Sequence, residues 1–382
     1  MLSIVIGAIS LSIWAYLLVA RGAFWRCRPR DTQEAAPPAV WPPVVAVVPA
    51  RDEAPHIGES IGSLLRQDYP GPLTVILVDD DSTDGTKEVA ERVATSSSTG
   101  NRLVVIGSGG PPRGWTGKLW AVSQGIARAM SERPAYLLLT DADIVHAPGN
   151  LRWLVGHAQG DNFVLTSLMA KLRCESFAER SHNPAFIFFF QMLYPFSWVN
   201  RRERATAAAA GGCMLVRADA LAAAGGIASI RDALIDDCAL AERLKRHGPI
   251  WIGLSERVHS IRAYRWNDVR QMVSRTAYTQ LGHSPLLLAG TLAGMGFTYV
   301  APVLLAIGGS GPARWLGFLS WGLMALAFQP SLRLYRLSPL WGVALPLIAL
   351  LYMLYTLDSA YQYGRGRGGV WKGRAQAGVA GR

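Results

Sequence analysis

An almost unbroken apolar run from Leu2 to Ala20, whose flanking charges begin only at Arg21 and continue at Arg26, Arg28 and Arg30, constrains this chain more than any other feature. About 20 apolar residues are what a helix needs to cross a bilayer. Because the basic residues follow the run instead of preceding it, it reads as a retained anchor and not as a cleaved signal peptide. The positive-inside rule then puts the next segment in the cytosol. Three more apolar stretches stand near the other end, at Pro285 to Ile307, Arg314 to Pro330 and Pro339 to Leu357. Each is near spanning length, and buried soluble helices seldom come three in a row. One anchor plus three spans would carry Arg365, Arg367, Lys372 and Arg374 to the outer face, against the charge rule. One of the three is therefore expected to be re-entrant or interfacial.

Half of the 382 residues are hydrophobic and the formal net charge is +11. Since many basic residues flank apolar segments, the excess charge points to a membrane surface and not to nucleic acid. The four cysteines, Cys27, Cys174, Cys213 and Cys238, are too scattered for a zinc site or a disulfide framework. None of the seven histidines has a His-Glu-x-x-His spacing, and the chain has neither a Gly-x-Ser-x-Gly elbow nor a Gly-x-x-x-x-Gly-Lys-Ser/Thr phosphate loop. Zinc-hydrolase, serine-hydrolase and ATPase chemistry are thus unsupported.

Between Val44 and about Tyr278 short apolar runs alternate with helical stretches, the pattern of an α/β domain with a mostly parallel sheet. Candidate strands are Val44 to Pro49, Leu73 to Val78, Arg102 to Ile106 and Tyr136 to Thr140. The Pro- and Ala-rich segment from Arg30 to Pro43 reads as a linker. The expected organisation is an anchor over 1–22, a linker over 23–43, a catalytic domain over 44–280, membrane helices over 285–358 and a basic tail over 359–382. The aromatic run Phe186 to Trp198 is too short for a span and reads either as an interfacial segment near an apolar acceptor or as a buried core helix.

In an open parallel sheet, ligands bind beyond the carboxyl ends of the strands. Three candidate strands end in acidic residues there: Asp52-Glu53, then Asp79-Asp80-Asp81 with Asp84, then Asp141-Ala142-Asp143. Each alone could be a solvated turn or a helix cap. Together they would repel unless a cation or a donor-rich ligand joins them. Asp141 and Asp143 offer oxygen ligands suited to magnesium or manganese holding a diphosphate, and such a metal would make a nucleoside diphosphate a better leaving group.

The runs Val-Val-Pro-Ala-Arg-Asp-Glu, Val-Asp-Asp-Asp-Ser-Thr-Asp-Gly-Thr and Asp-Ala-Asp resemble the nucleotide-binding half of family 2 glycosyltransferases. The resemblance covers about Val44 to Trp266. It implies a GT-A-like fold, to which the apolar stretches add one N-terminal and about three C-terminal membrane helices, together with a nucleotide-diphospho-sugar donor and a divalent metal at Asp141 and Asp143. It also implies that Pro49, Ala50, Glu53, Asp79 and Asp80 hold base and ribose, and that Lys118 of Gly117-Lys118 approaches the donor phosphates. Asp81 stands where the family usually has glycine. Arg262-Ala-Tyr-Arg265-Trp266 resembles the family's Gln-x-x-Arg-Trp motif, which implies donor contacts by Arg262, Arg265 and Trp266; an interfacial aromatic-basic belt is the competing reading. In Ile235-Asp236-Asp237 the resemblance implies that Asp237 is the general base of an inverting transfer, leaving Asp236 to cap the helix.

The layout is most similar to hopanoid-biosynthesis-associated glycosyltransferases, which implies a lipid acceptor at the cytosolic face of what is expected to be a bacterial inner membrane. A polyprenyl-phosphate acceptor, a polysaccharide synthase and a non-catalytic scaffold remain alternatives.

Overall fold

The computed structural model describes residues 1–366 and the backbone of Val370–Trp371 and Arg374–Ala375. Arg367 and Lys372 of the expected basic tail lie outside the described residues. The described residues form two compact units, one containing Pro29–Arg173 and Trp198–Ala263, the other containing Met1–Arg28, Cys174–Ser197 and residues 264–366.

In the first unit the apolar runs Val44–Ala50 and Tyr136–Thr140 become strands buried on both faces, as parallel strands covered by helices must be, whereas Leu103–Gly107 at the sheet edge is only half-buried. The strands are β1 (Val44–Ala50), β2 (Leu73–Asp79), β3 (Leu103–Gly107), β4 (Tyr136–Thr140), β5 (Ile144–His146), β6 (Leu165–Lys171), β7 (Cys213–Arg217) and β8 (Ile250–Ser260). They form one sheet in the order β3-β2-β1-β4-β7-β6-β8-β5. The pairs among β3, β2, β1 and β4 are parallel, as is β6 with β8, whereas β7 runs antiparallel to both β4 and β6 and β5 runs antiparallel to β8. The four expected strands match β1 to β4 to within a residue at each end. Ile57, Ile61, Leu64, Val75, Leu77 and Leu138 are among the buried residues of its core.

The segment after Arg30 has neither helix nor strand until Val44, yet it is tied down residue by residue. The buried Asp31 carboxylate accepts from Ser255 Oγ and from the Glu256 and Arg257 amides, and Trp153 Nε1 donates to the Gln33 carbonyl. Proline content suppressed helix and strand there without making the chain loose.

The second unit contains the three helices that, among the described residues, are long and apolar enough to span a membrane: Leu2–Val19, Pro285–Gly308 and Pro339–Gly364. The middle C-terminal stretch forms a 24-residue helix, Gly311–Leu334, with Pro330 inside it. It falls short of the apolarity of the other three, so two C-terminal spans stand where about three were expected. The Pro285–Gly308 helix loosens into a π turn at Gly296–Val300. Freed carbonyls need partners where water is scarce, and here Ser10 Oγ donates to Phe297 O and Trp14 Nε1 to Thr298 O. The aromatic run as far as Leu193 folds as part of the helix Phe177–Leu193, whose Phe188 is fully buried against Phe24 and Phe328, and its end enters a separate short helix, Phe196–Val199. That is the core-helix reading of the run.

Candidate active site

The carboxyl ends of β1, β2 and β4 in the first unit carry the acidic residues singled out above. At the end of β2, Asp79 accepts from the Ser82 amide through Oδ2, while its buried Oδ1 has no hydrogen-bond partner among the described residues. A buried acceptor left unpaired costs free energy, so this oxygen suits a hydroxyl donor such as a ribose. Its neighbour Asp80 is fully buried and used internally: Oδ1 accepts from Ser108 Oγ at 2.6 Å, and Oδ2 lies 3.5 Å from Arg51 Nη1. Asp80 therefore ties the end of β2 to the segments that carry Arg51 and Ser108. Ser108 went unnoticed in the sequence because it belongs to no motif, and Arg51, although it lies within the Val-Val-Pro-Ala-Arg-Asp-Glu run, was given no role there. Asp81 adopts φ 54°, the left-handed region where glycine is easiest and aspartate is tolerated. The substitution for glycine thus keeps the turn that glycine serves.

Lys118 sits in the first turn of the helix Gly117–Ala129, whose Thr116 cap accepts from the Leu119 amide. Gly125 lets this helix lie directly on the sheet, because a Cβ there would overlap Val47 and stand 2.8 Å from Val78. The Lys118 ammonium bridges Asp141 Oδ1 at 2.9 Å and Asp236 Oδ2 at 3.1 Å. Burial works against its charge, but Asp141, Asp236 and Asp237 outweigh burial and hold its pKa above the ordinary lysine value. For Asp141 burial dominates: its pKa is raised despite Lys118, with Asp143 adding to the effect.

Asp236 and Asp237 open the helix Asp236–Lys245, which has no side-chain N-cap. The capping expected of Asp236 is not made. Asp236 spends its carboxylate on Lys118, while Asp237 Oδ1 accepts from the Cys238 amide at 2.7 Å and Oδ2 from the Gly211 amide at 2.9 Å. Burial, and then repulsion by Asp236, raise the Asp237 pKa to about 6; Lys118 and the two amides oppose the rise. A carboxyl whose surroundings raise its pKa in this way is what acid–base chemistry uses.

Gly212, the residue after Gly211, is held by a buried relay. Asn150 Nδ2 faces His146 Nδ1, so Nδ1 must accept and Nε2–H donates to Thr140 Oγ1, which in turn donates to the Gly212 carbonyl. Burial, with His259 adding to it, lowers the His146 pKa to about 3, so the ring is neutral. This relay joins the end of β4 to the turn before β7.

Arg262 follows β8 and joins two acidic ends, Nη2 pairing with Glu53 Oε1 and Nε with Asp143 Oδ2 at 2.8 Å. Ser260 Oγ also donates to Asp143 Oδ2. Pro49 lines the small pocket shared by Lys118, Asp141, Gly211 and Asp236, and the Ala50 carbonyl accepts from the Asp80 amide. Arg265 and Trp266 belong to the other unit. There Trp266 opens the helix Trp266–Gln280, stays 39% exposed, lies parallel to Phe177 and meets the edge of His182.

Among the described residues no three His, Cys, Asp or Glu side chains come together as a metal-ligand set. Asp141 and Asp143 engage Lys118 and Arg262 through one oxygen each, which leaves two hard oxygen donors. That donor set fits a magnesium or manganese ion completed by diphosphate oxygens and water.

Residues 45–224 match the sequence profile of glycosyl transferase family 2. No curated protein sequence matches the chain. Among solved structures, the mannosyltransferase PcManGT from Pyrobaculum calidifontis, in complex with GDP-Man and Mn2+, is similar over 94% of this chain and 98% of its own, at 19% identity and a TM-score of 0.57. Glucosyl-3-phosphoglycerate synthase from Mycobacterium tuberculosis aligns over 63% of this chain and 80% of its own at 18% identity, with a TM-score of 0.40. Residues 1–349 of TarS from S. aureus, in complex with UDP, align over 85% and 92% at 14% identity, also with a TM-score of 0.40. The chain has the GT-A-like α/β fold. Residues 45–224 thus carry a glycosyl transferase family 2 domain, and the chain is a glycosyltransferase.

Proposed function

We propose that this glycosyltransferase moves one sugar, with inversion, from a nucleotide-diphospho-sugar onto a lipid hydroxyl at the cytosolic face of the membrane, with Asp237 as general base. The observation that carries this reading is the Asp237 carboxylate, held by the Gly211 and Cys238 amides with its pKa raised to about 6, beside the Lys118 bridge to Asp141. A base of that strength is ionised at neutral pH yet strong enough to take a proton in the transition state.

Asp237 removes the acceptor hydroxyl proton while that oxygen attacks the anomeric carbon. The bond from that carbon to the diphosphate oxygen breaks, and the nucleoside diphosphate leaves with the electron pair. A divalent metal on Asp141 and Asp143, when bound, compensates the charge developing on the leaving group. Asp79 accepts from the ribose, and Pro49, Ala50 and Glu53 frame the nucleotide. Lys118 supplies a fixed positive charge beside the donor phosphates. Arg262 orients Asp143 and Glu53 towards the metal and the nucleotide.

The three candidate spans support the membrane setting. With the catalytic unit in the cytosol, three crossings would return the chain after Gly364 to that same side, so Arg365 would agree with the positive-inside rule. A polycyclic acceptor of the hopanoid class rests on likeness of layout.

The test is nucleoside diphosphate release by membranes containing the protein, given a panel of nucleotide sugars with manganese and a lipid extract. Release that Asp237→Ala abolishes supports the assignment. Equal release by the variant would overturn it.

A further inference from the structure

The stretch Trp198–Thr206 leads towards Gly211 without helix or strand beyond its first residues, yet it is held at three points. Lys245 Nζ donates to the carbonyls of both Val199 and Thr206 at 2.6 Å, pinching the two ends together. The Asn200 side chain donates to the Ile252 carbonyl and accepts from the Ile252 amide, as a neighbouring strand would. Successive turns close from Arg201 N to Trp198 O and from Arg204 N to Arg201 O. Nothing in the transfer chemistry uses this clamp.

What the clamp presents is charge. Arg201, Arg202 and Arg204 are exposed, and among the described residues no carboxylate pairs with any of them. Glu203 is the one acid in the stretch. The Arg204 guanidinium lies 5.3 Å over the Trp198 ring, an aromatic–basic pair of the kind that settles at headgroup level. The residue before Trp198, Ser197, ends a segment of the unit that carries the candidate spans. Three arginines without an ion-pair partner among the described residues suit phosphate groups, which the guanidinium engages bidentately.

We propose that the clamped loop is a docking surface for anionic phospholipid headgroups of the bilayer, with Arg201, Arg202 and Arg204 as its phosphate contacts. Charge complementarity and chain continuity with the membrane unit favour bilayer lipid as the occupant. A juxtamembrane arginine strengthens anionic-lipid attraction about fivefold, so the three together should be worth at least tenfold.

The experiment is native mass spectrometry of the full chain in detergent, titrated in turn with phosphatidylglycerol, phosphatidylcholine and a polyprenyl monophosphate. The native protein should prefer phosphatidylglycerol over phosphatidylcholine, and the triple variant Arg201→Gln, Arg202→Gln, Arg204→Gln should lose at least tenfold of that affinity at an unchanged melting temperature. Lys245→Ala, which keeps all three arginines but opens the clamp, should lose part of the preference. Unchanged phosphatidylglycerol binding by the triple variant overturns the proposal. So does tighter binding of the polyprenyl monophosphate that the triple variant abolishes, since the loop would then hold an acceptor phosphate. The readout is lipid binding, so either failure leaves the transferase reading intact.

Discussion

Replacing Asp237 by asparagine should destroy turnover and, at neutral pH, make the protein more stable. The Asp237 carboxyl is raised from 3.8 to about 6 by burial and by Asp236. Its folded state therefore holds a proton more tightly than the unfolded chain does. Folding takes up a proton between about pH 4 and pH 6, so stability falls as pH rises through that window and stays lower above it. The rise corresponds to at most about 3 kcal/mol at pH 7.5. Asparagine removes this cost, but its single side-chain carbonyl cannot serve both the Gly211 and Cys238 amides, which returns about 1 kcal/mol. The net gain should be about 1–2 kcal/mol, or on the order of 2–4 °C in melting temperature for each kcal/mol. The assay is a thermal melt of native and variant protein in the same detergent at pH 5 and pH 7.5, with the variant's advantage larger at the higher pH. An Asp237→Asn protein no more stable than the native one at pH 7.5, or with an advantage that shrinks as pH rises, would refute the reasoning.

The rate of transfer should fall about tenfold per pH unit below pH 6, as the base takes up its proton; a flat profile from pH 5 to 7 would exclude Asp237 from that role. Asp143→Ala should lose manganese-dependent stabilisation by nucleoside diphosphate, whereas Asp237→Ala should keep it and lose turnover, measured by melting shift and product release. Arg262→Gln removes the guanidinium that joins the buried carboxylates of Glu53 and Asp143 and should cost about 1–3 kcal/mol, with manganese restoring more stability to the variant than to the native protein. Gly125→Ala should lower the melting temperature through an overpacking cost of about 1–3 kcal/mol, because its methyl would overlap Val47 under the Lys118 helix.

The first four strands were readable because each is a short apolar run closed by acidic or turn residues, and the sheet edge that gathers those residues follows from parallel pairing. Later strands were harder. The antiparallel β7 and the 11-residue β8 form contacts far apart in sequence, and no local period announces them. Motif order brought out Lys118, Asp141 and Asp237, yet it could not say that Lys118 would bridge Asp141 to Asp236. Nor could it say that Asp80 would be sealed inside by Ser108 and Arg51. Those pairings are properties of three-dimensional proximity. His146 shows the same limit: a lone histidine in sequence, it becomes one link of a buried relay once Asn150 and Thr140 are beside it.

The chain passes between its two units after Arg28, Arg173, Ser197 and Ala263, before the terminal residues. Trimming both termini therefore cannot release a water-soluble catalytic fragment. A piece from Pro29 to Ala263 would still contain the helix Phe177–Leu193, whose Ala185 and Phe188 are sealed by Trp14, Phe24, Tyr299 and Phe328 in the intact chain. Cut from those partners, the helix would present a bare aromatic face and self-associate. Anyone preparing the sugar-transfer unit alone would have to replace residues 174–197 with a short polar bridge as well as shorten the ends.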